Sequence, residues 1–212
     1  MFKSMNIREE EFWNVVTHGL GFIFSLVGFF LLVFESSKKG DTLTFISVSI
    51  YGMSMVILYL ASTVYHSVSS EKQKLIFRKL DHLCIYILIA GTYTPVALLG
   101  LKGAWGWSIF GSIWGLALVG FVFKFSPVQK SEKLSLLLYA AMGWLIVVAL
   151  KPLLSNLSTE ALIYMAIGGF FYTSGIYFYA NSKIPFNHAI WHVFVLAGST
   201  FHFFGIYWYI LT

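Results

Sequence analysis

The chain alternates between long apolar runs and short polar segments. Windows of about 20 apolar residues bounded by charged or turn-forming residues are typical of membrane-spanning helices. Seven such spans are predicted, at residues 13–34, 43–65, 82–100, 104–123, 134–150, 160–180 and 188–211. Only Leu101, Lys102 and Gly103 separate the third span from the fourth, which predicts a tight helical hairpin, and Lys151-Pro152 is predicted to close the fifth span. We therefore predict an all-α integral membrane protein in which residues 1–212 form a single seven-helix transmembrane domain.

The composition agrees with a polytopic membrane protein that has little mass outside the bilayer. The 212 residues are 58% hydrophobic and only 11% charged, whereas a soluble domain carries roughly 25% charged residues. This balance excludes a disordered chain, a nucleic-acid-binding module and an ordinary soluble domain. The first apolar run, Phe12 to Phe34, is too long for the apolar core of a signal peptide and has no small-residue cleavage site before Glu35, so we expect a retained span.

Lysine and arginine residues are distributed unequally between the two sides of the predicted spans. Ten of the fourteen lie on one side, namely Lys3, Arg8, Lys72, Lys74, Arg78, Lys79, Lys124, Lys130, Lys133 and Lys183. The other four are Lys38, Lys39, Lys102 and Lys151. Cytoplasmic loops of membrane proteins carry the excess of these residues. The sequence therefore predicts a cytoplasmic N-terminus and an extracytoplasmic C-terminus, the opposite of a G-protein-coupled receptor.

Ionisable side chains within the predicted spans concentrate at one depth. His18 lies one turn into the first span, His66 closes the second, Asp81 opens the third, and His188 and His192 open the seventh. In the predicted orientation all five lie in the inner leaflet. An ionisable side chain is energetically costly inside a membrane and is most often retained for function. This depth therefore predicts a functional site built from four helices.

The spacing of these residues favours a metal site. His188 and His192 are four residues apart on a helix, so their side chains share one face about 6 Å apart. Ser62 and His66 repeat this spacing on the second span. Three neutral imidazoles, from His66, His188 and His192, would bind zinc and leave one coordination position open for water. Asp81 would then accept a hydrogen bond from a ligand or hold that water.

Two interpretations without a metal stay open from the residues alone. The same groups would also serve as a proton relay, which is a common use of ionisable side chains in membrane proteins. A buried histidine is also often a packing residue whose ring is satisfied by hydrogen bonds. The convergence of five polar side chains at one depth is the observation that favours the metal.

Three motifs in the chain resemble those of the progesterone and adipoQ receptor superfamily. They are Glu10 or Glu11 with Asn14 and His18 at the start of the first span, Ser62 with His66 and Asp81, and the His188–His192 pair. Leu80-Asp81-His82 and the later stretch Ala90-Gly91-Thr92-Tyr93-Thr94-Pro95 are similar to the hemolysin III or TrhA-like bacterial branch. The resemblance covers essentially the whole chain and includes the cytoplasmic N-terminus.

The resemblance implies zinc as the cofactor, held by His66, His188 and His192, with Asp81 contacting the zinc-bound water. It implies a multi-pass protein of the bacterial plasma membrane. Because the superfamily includes alkaline ceramidases, the leading hypothesis is a metal-dependent hydrolase that cleaves a lipid amide or ester from the cytoplasmic leaflet. In this hypothesis Asp81 orients the water or takes its proton, and Ser62 donates a hydrogen bond near the developing oxyanion.

Two other function classes stay open at this point. The name of the bacterial branch implies a pore-forming cytolysin, and a metal-dependent sensor or regulator of membrane state would use the same site without turnover. The expected partners are membrane lipids, with no nucleic acid and no soluble partner inferred, and the sequence does not predict an oligomeric state.

The remaining polar residues within the spans are expected to pack between helices or to line the interior. Asn14 and His18 share a helix face, and a buried hydrogen-bonding role that ties the first span to the site is expected for His18. Thr92 and His202 would line an interior cavity, although helix packing is an equal alternative for both. His82 points about 100° away from Asp81, towards an interface or a loop. Pro95 predicts a kink, because it cannot donate a hydrogen bond to the carbonyl of Gly91.

Overall fold

The computed structural model describes residues 2–125 and 132–212, and within these ranges the chain is helical and contains no strand. The α-helices in these ranges are α1 (Phe2–Ser37), α2 (Thr42–Ser67), α3 (Glu71–Pro95), α4 (Gly103–Phe125), α5 (Glu132–Gly143), α6 (Leu150–Asn156), α7 (Thr159–Ala180) and α8 (Asn187–Ile206). Three short segments extend them. A π-helical turn, Val96–Leu101, continues α3, a 3₁₀-helix, Leu145–Ala149, precedes α6, and a π-helical turn, Tyr207–Leu211, continues α8.

Seven helical stretches of the described residues are long and apolar enough to cross a bilayer. They are Glu9–Ser37, Thr42–Ser67, Glu71–Leu101, Gly103–Phe125, Lys133–Asn156, Thr159–Ala180 and Asn187–Leu211. Large apolar side chains such as Phe24, Leu118 and Phe170 are exposed on these helices, as expected where hydrocarbon surrounds a bundle. The predicted all-α, seven-span fold is confirmed. The orientation of the termini stays a prediction, and Lys130, one of the residues on which it depends, lies outside the described residues.

Local sequence signals explain where several of these helices begin and end. Asp41 precedes α2 and accepts hydrogen bonds from the backbone amides of Leu43 and Thr44, at 3.2 and 2.9 Å. Together with the hydroxyl of Thr44, which donates to the same carboxylate, these bonds hold the pKa of Asp41 below its usual value. The predicted hairpin between α3 and α4 is also present, with Lys102 and Gly103 at positive φ angles of 58° and 52°.

The third helix begins earlier than the apolar pattern predicts. That pattern gives a start at residue 82, but α3 begins at Glu71, and Lys72, Lys74 and Arg78 lie on its first turns. Lysine, arginine and glutamate are good helix formers, so a helix can extend beyond its apolar window. Asp81 therefore lies about 15 Å into α3 by helix rise, and it does not open the helix as predicted.

The fifth span also differs from its prediction, because it continues past Lys151-Pro152 to Asn156. The irregularity occurs earlier, after Gly143, where α5 gives way to the 3₁₀-helix. Since α6 begins anew at Leu150, Pro152 lies in its first turn, where a missing amide hydrogen breaks no helical bond.

The third span is the most buried of the seven and packs against α2, α4 and α5. At Pro95, where the sequence predicts a kink, α3 changes to the π-helical turn. The first helix, α1, packs against both α2 and α8. The end of α2 and the start of α8 therefore meet beside α1, and this is where the predicted site lies.

Candidate metal centre

Three histidines from two helices converge at this end of the bundle. His66 is the penultimate residue of α2, and His188 and His192 lie on the first two turns of α8. One ring nitrogen from each lies within 4.8 Å of those of the other two. His192 is completely buried, His66 is buried and His188 is half-buried. The structure therefore brings together the three residues that the sequence predicts as metal ligands.

Each of the three rings has one nitrogen without a hydrogen-bond partner among the described residues. Nε2 of His66, of His188 and of His192 are all buried and unpartnered. Leaving a buried polar atom unpaired costs about 1–3 kcal/mol, so a cation bound among these neighbouring rings would supply the partner that each of them lacks. Neutral imidazole nitrogens are good ligands for zinc and for other divalent transition metals. The three residues could hold a metal ion, and their donor set fits one.

The opposite nitrogens of two of these rings bind to α1. The Nδ1 of His66 lies 2.5 Å from Oε2 of Glu11, and an ionised carboxylate can only accept, so His66 donates from Nδ1. The Nδ1 of His192 lies 3.2 Å from the hydroxyl oxygen of Thr17. That hydroxyl already donates to the carbonyl of Trp13 at 2.8 Å, so it accepts from His192. The backbone carbonyl of Asn14 is a further acceptor for His192.

Asn14 and His18 complete the α1 face of the cluster. The side-chain amide of Asn14 lies between Glu11 and His66, with Nδ2 3.4 Å from Glu11 Oε2 and 3.3 Å from His66 Nδ1. The ring of His18 stacks on that of His192, with centroids 3.4 Å apart. Both nitrogens of His18 are buried and unpartnered among the described residues. His18 thus packs α1 onto the site through its ring, and the hydrogen bonds expected for it are absent from the described residues.

Ser62 and Asp81 lie beside the cluster on α2 and α3. Both side chains are buried, with 1% and 3% of their surface exposed. They interact with each other, and Asp81 also lies within electrostatic range of His66 and Lys124. The hydroxyl of Ser62 makes no hydrogen bond of ordinary geometry to any described residue. The serine one turn from His66 and the buried carboxylate therefore meet beside the cluster, and the roles predicted for them stay predictions.

A polar cavity of about 260 Å³ leads to the cluster. Its lining consists of Glu10, Glu11, Asn14, Tyr65, His66, Asn187 and His188. Most of these side chains are polar, and all lie where α1 enters the bundle, α2 ends and α8 begins. A polar group of a ligand can therefore reach the histidines from this end of the bundle.

Three other residues considered from the sequence lie elsewhere. The hydroxyl of Thr92 donates to the carbonyl of Leu88 in its own helix at 2.8 Å. His202 lies against α7, with Nε2 3.1 Å from the carbonyl of Met165. His82 lies 3.1 Å from Nζ of the buried Lys124, so it faces the fourth span. For Thr92 and His202 these contacts fit the packing alternative better than a cavity lining.

Sequence reasoning gave no role to three residues that hold the site together. Glu11 forms the hydrogen bond to His66 and an ion pair with Lys74 on α3. Thr17 accepts from His192, and Glu10 accepts from the backbone amide of His188 at 3.3 Å. The available signal was the helical spacing of Glu10, Glu11, Asn14, Thr17 and His18, which places polar groups along one side of a membrane helix.

Comparisons with known proteins agree over most of the chain. The family model described as haemolysin-III related matches residues 6–203. "Hemolysin-3" of Bacillus cereus is 45% identical over 211 residues, covering 100% of this chain and 96% of the relative. "Hemolysin-3 homolog" of Bacillus subtilis (strain 168) is 43% identical over 201 residues, covering 95% and 94%. "Monocyte to macrophage differentiation factor" of Homo sapiens is 32% identical over 206 residues, covering 93% and 83%. No solved structure matches the chain significantly.

Proposed function

The chain belongs to the haemolysin-III related family, and from that premise we propose that it is a zinc-dependent membrane hydrolase that cleaves an amide or ester bond of a lipid from the cytoplasmic side. Membership of this family and a location in the cell membrane are as the sequence predicts. The observation that carries the proposal is the group of three imidazoles whose buried Nε2 atoms have no partner among the described residues.

His66, His188 and His192 would hold the zinc ion through these nitrogens. Three protein ligands are the number found in catalytic zinc sites, whereas structural zinc sites have four. When bound, zinc supplies Lewis acidity towards a carbonyl oxygen and lowers the pKa of water.

The neighbouring polar groups supply what hydrolysis needs from the protein. A carboxylate oxygen of Asp81 would accept a proton from the attacking water and later give it to the leaving group. The hydroxyl of Ser62 lies beside Asp81, and its position one turn from His66 would let it donate to the carbonyl oxygen of the substrate instead. Because the two side chains interact with each other, they would approach the reacting atoms from the same side of the cluster.

The cavity supports a lipid as the substrate class. A lipid carries its amide or ester bond next to the polar headgroup, and the cavity has a polar lining at one end of a bundle with apolar outer faces. A headgroup in the cavity would place that bond near the histidines while the acyl chain extends along the bundle.

A lipid-product screen tests this function. The full-length protein, purified in detergent, is incubated with ceramides and with glycerophospholipids, and products are measured by mass spectrometry. We expect release of a fatty acid, loss of that release with chelator, and its return with zinc. A metal-loaded protein that cleaves neither lipid class would contradict the hydrolase and would favour the sensor.

Cytolysis is a second candidate, because a relative that is 45% identical is named "Hemolysin-3". A pore and a lipase-like activity differ in their need for metal. Leakage of dye from vesicles made of a non-hydrolysable ether lipid, unchanged by chelator, would support the pore. Leakage that occurs only from hydrolysable lipids and stops with chelator would support the enzyme.

A further inference from the structure

Glu11 joins three helices at the edge of the cluster. One oxygen of its carboxylate, Oε2, lies 2.5 Å from Nδ1 of His66 on α2. The other, Oε1, pairs with the ammonium group of Lys74 on α3. A residue with these contacts either holds the helices together or determines which nitrogen of the neighbouring imidazole carries the proton.

The chemistry of the histidine ring separates these two roles. A neutral imidazole has one N–H and one lone pair, and only the lone pair can bind a metal. Because Glu11 accepts at Nδ1, the proton of His66 is fixed there, and the lone pair is left on the buried Nε2, which has no partner among the described residues.

The side-chain amide of Asn14 competes with Glu11 for the same nitrogen of His66. Its amide nitrogen lies 3.3 Å from the same Nδ1, and an amide N–H that donates to Nδ1 would move the ring proton to Nε2, where it would block a metal. Glu11 prevents this in two ways, since Oε2 accepts from Nδ1 and is also within 3.4 Å of the Asn14 amide. The two neighbours of His66 therefore favour opposite tautomers.

We propose that Glu11 is a positioning residue that fixes the tautomer of His66 against the opposing amide of Asn14 and so presents the Nε2 lone pair to the metal. The metal is part of the proposed function, on which this inference rests. Lys74 pairs with the other oxygen of the carboxylate, and the contact between Oε2 and His66 does not need that pair.

The test is the zinc affinity of the purified full-length protein, measured by competition with a chromophoric chelator. Removing such an outer hydrogen-bond partner typically weakens metal binding 10–100-fold. We expect a loss of about this size for Glu11→Ala, which removes the acceptor. We expect the same for Glu11→Gln, because the ammonium of Lys74 would hold the amide oxygen and leave the amide NH₂ to donate to Nδ1, which favours the wrong tautomer. In the double variant Glu11→Ala/Asn14→Ala the opposing donor is gone, and we expect part of the affinity to return.

Lys74→Met is the matched control, because it breaks the ion pair and leaves the contact between Glu11 and His66. We expect its affinity to stay close to that of the wild type. Equal losses in Lys74→Met and Glu11→Gln would assign Glu11 to holding the helices, and wild-type affinity in Glu11→Gln would also overturn the proposal. If Glu11→Ala does not fold, the near-isosteric Glu11→Gln decides.

A metal-free measurement distinguishes this proposal from the proposed function. The ¹⁵N spectrum of histidine-labelled, metal-free protein reports which nitrogen of His66 carries the proton, with His66→Asn used to assign the signal. We expect Nδ1 to be protonated in the wild type and the Nε2 tautomer to grow in Glu11→Ala. If the wild type binds no zinc but shows this change, the hydrolase fails and the role of Glu11 stands. An unchanged tautomer overturns the role of Glu11 alone.

Discussion

Individual residues divide into two groups around the cluster. The three imidazoles converge through nitrogens that have no partner among the described residues, whereas Asp81 and Ser62 lie to the side and touch each other. Holding a metal and moving a proton are therefore assigned to different side chains. Because different side chains carry the two functions, a substitution can remove proton transfer and leave metal binding intact.

Asp81→Asn is the substitution that separates proton transfer from metal binding. The amide has nearly the shape of the carboxylate but cannot accept the proton of the attacking water, so we expect hydrolysis to fall by about 10²–10⁴-fold, the usual contribution of a general base. Zinc content should stay at the wild-type level. His192→Ala should instead lose both, and loss of zinc in Asp81→Asn would show that Asp81 is a ligand. Lipid turnover and elemental analysis of the same samples check this.

The candidate ligands could be predicted from the sequence, but the residues that orient them could not. The histidine pair four residues apart indicates a shared helix face, and the common depth of five polar side chains is what favours a metal site there. The role of Glu11 and of Thr17 depends on which helix faces α1 and at what height, and that is decided by packing between residues more than 50 positions apart. The spacing of polar residues along α1 predicts that they share one face of the helix. It does not predict which helix that face contacts.

At the scale of elements, the segment Gly91–Pro95 of α3 connects the third span to three others. Gly91 packs against Ser54 on α2, and Thr94 accepts from the indole of Trp114 on α4 at 3.1 Å. The hydroxyl of Tyr93 donates to the carbonyl of Gly143 and accepts from the amide of Ile146, so it bridges the irregularity in the fifth span. This segment thus fixes the helices around the most buried span.

Gly91→Ala tests the packing of α2 against α3. A methyl group at residue 91 would lie 2.2 Å from the hydroxyl oxygen and 2.6 Å from Cβ of Ser54, so the helices must separate. We expect a loss of about 1–3 kcal/mol in the free energy of unfolding, as for other overpacked cores. Thermal or denaturant unfolding in detergent measures it.

Gly111→Ala is the control for this prediction, because nothing lies within 4 Å of a methyl group at residue 111 on α4. Its stability should be unchanged or slightly higher, since alanine is a better helix former than glycine. Ser54→Gly should restore part of the loss in Gly91→Ala. Equal effects of the two glycine substitutions would contradict the close approach of α2 and α3.

The helices could largely be predicted from the sequence, because a bilayer imposes a minimum apolar length that hydropathy detects. Hydropathy does not detect helical residues that lie outside the apolar window, and it does not detect irregular turns within that window. The early start of α3 at Glu71 lies in a charged segment, and the change after Gly143 depends on the hydroxyl of Tyr93 in another span.

At the scale of the whole molecule, the site opens at one end of the bundle. The cavity is lined by the N-terminal part of α1 and by the junction of α2 with α8, and ten of the fourteen basic residues are predicted on that same side. The side from which substrate enters therefore depends on the orientation in the membrane.

Cysteine labelling of the chain in intact cells determines this orientation. Cys84, which is buried, is first replaced by serine, and Lys38→Cys or Lys183→Cys then introduces one exposed thiol on either side. Because the basic excess predicts a cytoplasmic N-terminus, a membrane-impermeant maleimide should label Lys38→Cys in intact cells and Lys183→Cys only after permeabilisation. The reverse pattern would place the cavity outside the cell.

The metal content of the purified protein tests the central claim most directly. Elemental analysis should find about one zinc ion per chain in the wild type, as for a site with three protein ligands. Replacing His66, His188 or His192 with alanine should remove it. The control His202→Ala changes a half-buried histidine that lies 3.1 Å from the carbonyl of Met165 and should leave the zinc in place. A wild-type protein without transition metal, or a His192→Ala variant with undiminished zinc, would contradict the account.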